Sequence, residues 1–148
     1  MVKNLNALSK IQEAREVLLR AFQELEDGVK RGDLLRVRDS CEKGWLAVVK
    51  AVDALLTKYG YEEAKTHIDR RKKLRELASK FIEISKLGIY DRVEARRSVL
   101  QSDGFYSGVL TPEEVEEELK KVEKLIEDIK IIFHKNQLRL CSECKVGV

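Results

Sequence analysis

The sequence predicts an all-α protein, folded as an up-and-down bundle of four to five helices. Turn-forming residues are scarce, with eight Gly and one Pro in 148 residues, which argues against a fold built of many short strands. Apolar residues instead recur at steps of three and four, as on one face of a helix. We expect one bundle domain over residues 1–138, followed by a cysteine-containing tail over residues 139–148.

The first two predicted helices run from about Asn6 to Lys30 and from Leu34 to Tyr59. Gly32 is suited to end the first helix in a left-handed conformation, and Asp33 is suited to cap the second. A connection this short predicts an antiparallel helical hairpin.

Three more helices are predicted downstream. Thr66 is expected to open the third, which continues to about Lys86. The fourth spans about Asp91 to Ser102, and residues 103–108 have the composition of a loop. The segment Thr111-Pro112-Glu113-Glu114 is a strong helix start, because Thr can cap, Pro fits the first turn and Glu114 completes a capping box. This fifth helix is expected to reach about Gln137.

Composition and charge exclude several classes of protein. Lys and Arg total 29 and Asp and Glu total 26, a net charge of +3. No apolar run approaches the length of a membrane span, and the first residues lack the apolar core of a secretory signal. We therefore expect a cytoplasmic protein without membrane contact. Only seven Asn and Gln residues beside abundant Lys and Glu indicate a thermophilic source.

The cysteines allow two interpretations. Cys41 lies inside the second helix, and Cys141 and Cys144 form a Cys-x-x-Cys pair in the tail. An odd number with one in mid-helix argues against a disulfide framework. Two thiolates are half of a zinc site, which two tails of a symmetric dimer could complete. The favoured interpretation is a frayed tail whose thiols have no function. We expect no cofactor.

Charge is segregated along the chain. Residues 65–76 carry six basic and two acidic side chains, a net charge of +4, whereas residues 113–128 carry eight acidic and three basic ones, a net charge of −5. The basic run could bind the phosphates of RNA. A solvated or paired helix face is the favoured alternative. The candidate ligand-binding residues here are Arg70, Arg71, Lys72 and Lys73.

Three further side chains are ambiguous. His67 stands at a predicted helix start, where a capping or surface role is commoner than catalysis. Arg15 and Arg38 fall on apolar stripes, where a charge requires a partner, so each is expected either in an interface ion pair or at the end of the bundle. The sequence contains no Gly-rich phosphate loop, no Ser-His-Asp set and no paired metal motif.

Several of these segments together resemble the HEPN superfamily, and within it an uncharacterised archaeal PaREP-like branch. The resembling parts are the Gly-Asp start of the second helix with Trp45, the pair Thr66-His67, the stretch 95–106, and Thr-Pro-Glu-Glu. The resemblance covers most of residues 6–135. It implies a helical bundle that forms a homodimer and works beside a nucleotidyltransferase-type partner.

Active HEPN members are metal-independent ribonucleases. Their motif is an Arg that is followed, after four to six intervening residues, by a His. The Arg holds phosphate and the His moves a proton. Here Arg96 is followed at that spacing by Gln101, which cannot exchange a proton near neutral pH. The resemblance therefore implies that an anion-binding surface remains without cleavage chemistry. Its candidate residues are Arg96, Arg97, Gln101, Asp103 and Tyr106.

Three functional hypotheses follow. The first is a non-catalytic homodimer that binds nucleotide, RNA or a protein partner. The second is a metal-independent ribonuclease in which His67 replaces the missing His. The third is a structural dimer whose cysteine tails share zinc.

Overall fold

The computed structural model describes residues 2–135 and 138–141, which form six α-helices and one π-helix. The helices are α1 (Val2–Arg31), α2 (Leu34–Lys58), α3 (His67–Lys80), α4 (Ile82–Lys86), α5 (Ile89–Arg96), the π-helix (Arg97–Tyr106) and α6 (Pro112–His134). The predicted all-α class is confirmed. In this part of the chain, no helix combines the length and the apolarity needed to cross a membrane.

Helices α1 and α2 form the predicted hairpin, and their contact is the most extensive between two helices of the described chain. Gly32 ends α1 with φ +64°. The Asp33 carboxylate then accepts hydrogen bonds from the backbone N–H groups of Leu35 and Arg36, at 3.1 and 3.3 Å. These two residues reverse the chain as the sequence predicted, because a left-handed glycine and a side-chain cap satisfy the free ends of both helices.

Helix α6 packs against both arms of the hairpin. Ala47, Ala51 and Ala54 of α2 are fully buried, and their small side chains allow neighbouring helices to approach closely. The capping box is present, since Thr111 and Glu114 exchange hydrogen bonds of 3.1 and 3.2 Å. The helix ends at His134, and the predicted end at Gln137 lies outside the described residues.

The third predicted helix is wrong in extent, because the chain breaks at Phe81 into α3 and α4. Phe81 is extended, with φ −117° and ψ 127°, and forms an antiparallel bridge with Leu140. The Ile82 N–H donates to the carbonyl of Arg139 at 2.9 Å, and the Arg139 guanidinium pairs with Glu83 at 2.8 Å. Contacts with residues 139 and 140 thus take the place of helical hydrogen bonds at this break.

The predicted loop over residues 103–108 is wrong over residues 103–106, which are helical. Helix α5 begins at Ile89, and the ten-residue π-helix continues it to Tyr106. The connection to α6 is therefore only residues 107–111.

Candidate functional site

The end of the π-helix is held by Arg38 of α2. Its Nε and Nη2 donate to the carbonyl oxygen of Phe105 at 3.0 and 2.8 Å, and Nη2 also donates to that of Tyr106 at 2.8 Å. Carbonyls at a helix end lack partners within the helix, so Arg38 supplies them. The partner that this charge was expected to need is therefore main chain rather than an acid.

Two glycines allow the π-helix and the following turn to approach α2. A Cβ added to Gly104 would lie 2.6 Å from Sγ of Cys41, and one added to Gly108 would lie 2.9 Å from Nε of Arg38. Gly108 also has φ +63°, a conformation that other residues rarely adopt. These contacts position Phe105 and Tyr106 beside α2.

A groove of about 360 Å³ lies between α2 and the π-helix. Three aromatic residues line it together with an amide and two charged side chains: Trp45, Phe105, Tyr106, Gln101, Glu42 and Lys43. The side chain of Tyr106 is 67% exposed, and its ring centroid is 5.3 Å from that of Phe105. The exposed ring of Tyr106 beside the Gln101 amide suits a planar, hydrogen-bonding ligand such as a nucleobase.

His67 packs against Trp45 but does not line the groove. The two rings meet edge to face, with centroids 5.9 Å apart and an interplanar angle of 72°. Burial lowers the pKa of His67, and the positive charge of Arg97 lowers it further, while Glu94 acts in the opposite direction. Nε2 of His67 is buried and has no hydrogen-bond partner among the described residues. The ring thus holds a buried nitrogen whose hydrogen-bonding capacity is unused by the described residues.

Arg97 is the first residue of the π-helix. Its Nε lies 3.3 Å from the Glu94 carboxylate, and its side chain is 32% exposed. Hydrogen bonds in a π-helix join residues five apart, so Arg97 lies about one turn before Gln101 of the groove. Of the predicted site residues, Gln101 and Tyr106 line the groove. Arg97 lies about one turn before Gln101, and His67 packs against the groove residue Trp45, but neither lines the groove.

Arg96 points elsewhere and does not line the groove. Its Nε is 2.8 Å from Oε2 of Glu118 on α6, and the two side chains are 11% and 8% exposed. The contact has ion-pair distance without hydrogen-bond alignment, and Glu118 also accepts from Lys121 at 2.9 Å. Arg96 thus joins α5 to α6 in a buried charge pair.

The basic run of α3 divides into paired and unpaired members. Arg70 pairs with Asp53 through two hydrogen bonds of 2.8 and 3.3 Å, and Lys73 pairs with Asp69 at 3.1 Å. Arg71 and Lys72 are exposed, and neither forms an ion pair within residues 2–135 and 138–141. These two remain available to a phosphate.

The remaining predicted site residues that the structure describes, Asp103 and Cys141, do not line the groove. The Asp103 side chain is exposed, and its backbone carbonyl accepts from the Val109 N–H at 3.0 Å. Cys141 is a free thiol of intermediate exposure, and Cys144 lies outside the described residues. Among the residues described, no three His, Cys, Asp or Glu side chains cluster as a metal site. Zinc between two tails stays a prediction.

Sequence reasoning missed the part played by Arg38, Phe105 and Gly104. The only signal for Arg38 was its charge on an apolar stripe. Phe105 and Gly104 fall in a segment whose Gly, Asp and Ser content is typical of a loop, and nothing local indicates a π-helix there.

Comparison with known proteins identifies the family. Among curated proteins, none matches this chain. The model of the archaeal PaREP1/PaREP8 family matches residues 9–126, which include α2, α3, α5, the π-helix and every residue that lines the aromatic groove. The chain therefore belongs to the archaeal PaREP1/PaREP8 family.

Proposed function

We propose that this protein binds a nucleotide or single-stranded RNA in the groove between α2 and the π-helix, and that it does not cleave it. One observation carries the proposal: the exposed ring of Tyr106 and the amide of Gln101 line a groove, and the cationic Arg97 lies about one helical turn before Gln101. The HEPN resemblance, in which an Arg of this segment holds phosphate, supports the same assignment.

Each part of the site has a role in this proposal. A base stacks on the exposed ring of Tyr106, because every base offers a π-face to an aromatic ring. The Gln101 amide supplies one donor group and one acceptor to the base edge. The phosphate binds Arg97, and neighbouring phosphates of a longer strand bind Arg71 and Lys72.

Fluorescence anisotropy with a labelled single-stranded RNA at low salt tests this function. We expect Tyr106→Ala to weaken binding by about tenfold or more, since stacking contributes roughly 1–3 kcal/mol per base. Arg97→Ala is expected to weaken binding and to reduce its salt dependence. Arg20→Ala, an exposed arginine on α1, is the matched control and is expected to bind normally. If wild type fails to bind RNA and mononucleotides, or both site variants bind like the control, the proposal is wrong.

A metal-independent ribonuclease is the second candidate, and the neighbourhood of His67 and Arg97 favours it. A neutral imidazole can take the proton of a 2′-hydroxyl while an arginine stabilises the phosphate. This function predicts RNA cleavage in the presence of a chelator, lost in His67→Ala. A folded wild type that binds RNA without cutting it supports the non-catalytic function instead.

We further propose that the protein acts as a homodimer, as the HEPN resemblance implies. A nucleotidyltransferase-type protein is the alternative occupant of the site. Competition distinguishes the two, because a protein partner that uses the groove must be displaced by RNA and must fail to bind Tyr106→Ala.

A further inference from the structure

We propose that two copies of this chain pair through α1, antiparallel, so that each α1 lies in the groove between α1 and α6 of the other copy. The inference deepens the proposed homodimer by naming its interface. It does not depend on RNA binding, which the aromatic groove provides on another surface.

Helix α1 carries two apolar seams. The first is buried against α2 and α6, and comprises Ala7, Ile11, Ala14, Leu18, Ala21 and Leu25. The second lies beside it and also alternates steps of three and four residues: Leu5, Leu8, Gln12, Arg15, Leu19, Phe22, Glu26 and Val29. This alternation is the pattern of a helix that packs against another helix.

The second seam has no partner within the described chain. Leu5, Leu19 and Val29 are 67%, 58% and 53% exposed, and Leu8 is 43% exposed. Apolar side chains occupy five of the eight seam positions; Gln12 and Arg15 separate Leu5 and Leu8 from Leu19 and Phe22, and Phe22 is partly buried. Exposed apolar groups of this kind on one helix face indicate an interaction surface.

Beside the seam, α1 and α6 enclose a groove of about 570 Å³. Arg15, Leu19 and Phe22 line its α1 side, and Glu123 and Glu127 line its α6 side. Within residues 2–135 and 138–141, neither Arg15 nor these two glutamates form an ion pair. One wall thus offers an unpaired cation and the other offers two unpaired carboxylates.

The order of the seam residues indicates that the occupant is a second copy. The seam positions are symmetric about Val17, so an antiparallel copy places Leu5 opposite Val29 and Arg15 opposite Leu19. Equivalent pairs then form twice, as a two-fold interface requires. A parallel copy would instead stack Arg15 on Arg15 of the partner subunit.

Charge complementarity supports the same arrangement. When α1 of one copy fills the groove of the other, its Arg15 approaches Glu123 and Glu127 of the partner subunit. The seam extends over about 36 Å of helix, a length that can support an interface of standard size. Arg15, the charged residue on the apolar stripe of α1, is then paired with carboxylates of the partner subunit.

Sedimentation equilibrium of the purified full chain tests the interface. We expect wild type to dimerise, and Leu19→Glu to weaken dimerisation by about tenfold or more, as for a central interface residue. Leu35→Glu is the matched control, because Leu35 is 69% exposed on α2 and lies outside the seam. Circular dichroism verifies that both variants are folded.

A charge exchange tests the pairing itself. Arg15→Glu is expected to weaken the dimer, and adding Glu123→Arg is expected to restore it. In a Cys141→Ser, Cys144→Ser background, Glu16→Cys lies near the two-fold axis and should cross-link between copies with a short bismaleimide. Leu5→Cys should not cross-link, because the antiparallel ends lie about 36 Å apart.

The outcomes separate the claims. A monomeric wild type overturns both the interface and the homodimer. A dimer that Leu19→Glu and Arg15→Glu leave intact overturns this interface but not the homodimer. Cross-linking through Leu5→Cys overturns the antiparallel arrangement. RNA binding, measured by anisotropy on the same samples, is judged separately.

Discussion

The guanidinium of Arg38 donates two hydrogen bonds to the carbonyl oxygen of Phe105, 67 residues further along the chain. This contact closes the π-helix against α2 and orients the aromatic wall of the groove. Arg38→Ala is therefore expected to destabilise the fold by about 2 kcal/mol, a usual value for hydrogen bonds to a charged group. It should also weaken RNA binding, although Arg38 does not line the groove.

Urea denaturation and anisotropy check this prediction together. Arg36→Ala is the matched control, since Arg36 contacts Asp27 and Asp33 only at 3.6 Å on the surface, and such pairs contribute about 0.5 kcal/mol. Equal effects of the two variants would contradict a special role for Arg38.

Because Arg96 forms a buried pair with Glu118, we expect substitution of Arg96 to lower the stability of the fold and not RNA binding. Arg96→Ala leaves the Glu118 carboxylate buried without its arginine, which costs about 3–5 kcal/mol. Arg96→Met combined with Glu118→Leu is expected to recover most of this loss, because both charges are then absent. Thermal denaturation and RNA titration of the folded variants distinguish the outcomes. A stable Arg96→Ala protein that no longer binds RNA would instead assign phosphate binding to Arg96.

His67 predicts a pH dependence of stability. Its pKa is lowered in the folded state, first by burial and then by Arg97, so the unfolded chain binds the proton more readily. The free energy of unfolding should therefore fall as pH drops through the ordinary histidine pKa of 6.5 towards the lowered value. His67→Gln is expected to flatten the stability profile in this range. An unchanged profile would contradict the burial of the imidazole.

The same histidine predicts tighter anion binding at lower pH. A phosphate beside His67 and Arg97 favours the imidazolium and raises the pKa of His67. Nuclear magnetic resonance titration of the His67 ring, with and without mononucleotide, measures this change. A pKa of His67 that is the same in both samples would place the phosphate elsewhere.

Cys41 is expected to resist alkylation. Burial raises the pKa of its thiol to about 11, so little thiolate forms at mildly alkaline pH. Iodoacetamide followed by peptide mass spectrometry should label Cys141 in the native protein and Cys41 only after unfolding. Rapid native labelling of Cys41 would show that the π-helix opens from α2.

The sequence predicted those features that short-range physics determines. Asp33, Thr66 and the pair Thr111–Glu114 all cap helices as expected, because a cap depends on neighbours three residues away. The break at Phe81 and the π-helix were not predictable, because each depends on a contact with a residue far away in the sequence. Leu140 forms a β-bridge with Phe81, and Arg38 donates to the carbonyl oxygen of Phe105. No local sequence pattern indicates either contact.

The candidate site was predictable in part for the same reason. The resemblance indicated Gln101 and Tyr106, which line one groove, and Arg97, which lies about one turn before Gln101. It did not separate Arg96 from Arg97, because adjacent residues on a helix point about 100° apart and only the position of α6 decides which one is buried.

The π-helix makes this segment sensitive to insertions and deletions. Its hydrogen bonds span five residues rather than four, so it accommodates more chain per turn than an α-helix. Deleting one residue between Arg97 and Gly104 would rotate everything that follows about the helix axis by somewhat less than the 100° per residue of an α-helix, turning Phe105 and Tyr106 away from Trp45. Family members with similar side chains but one residue fewer here are expected to lack the groove, so alignment gaps in this stretch should track ligand specificity better than substitutions do.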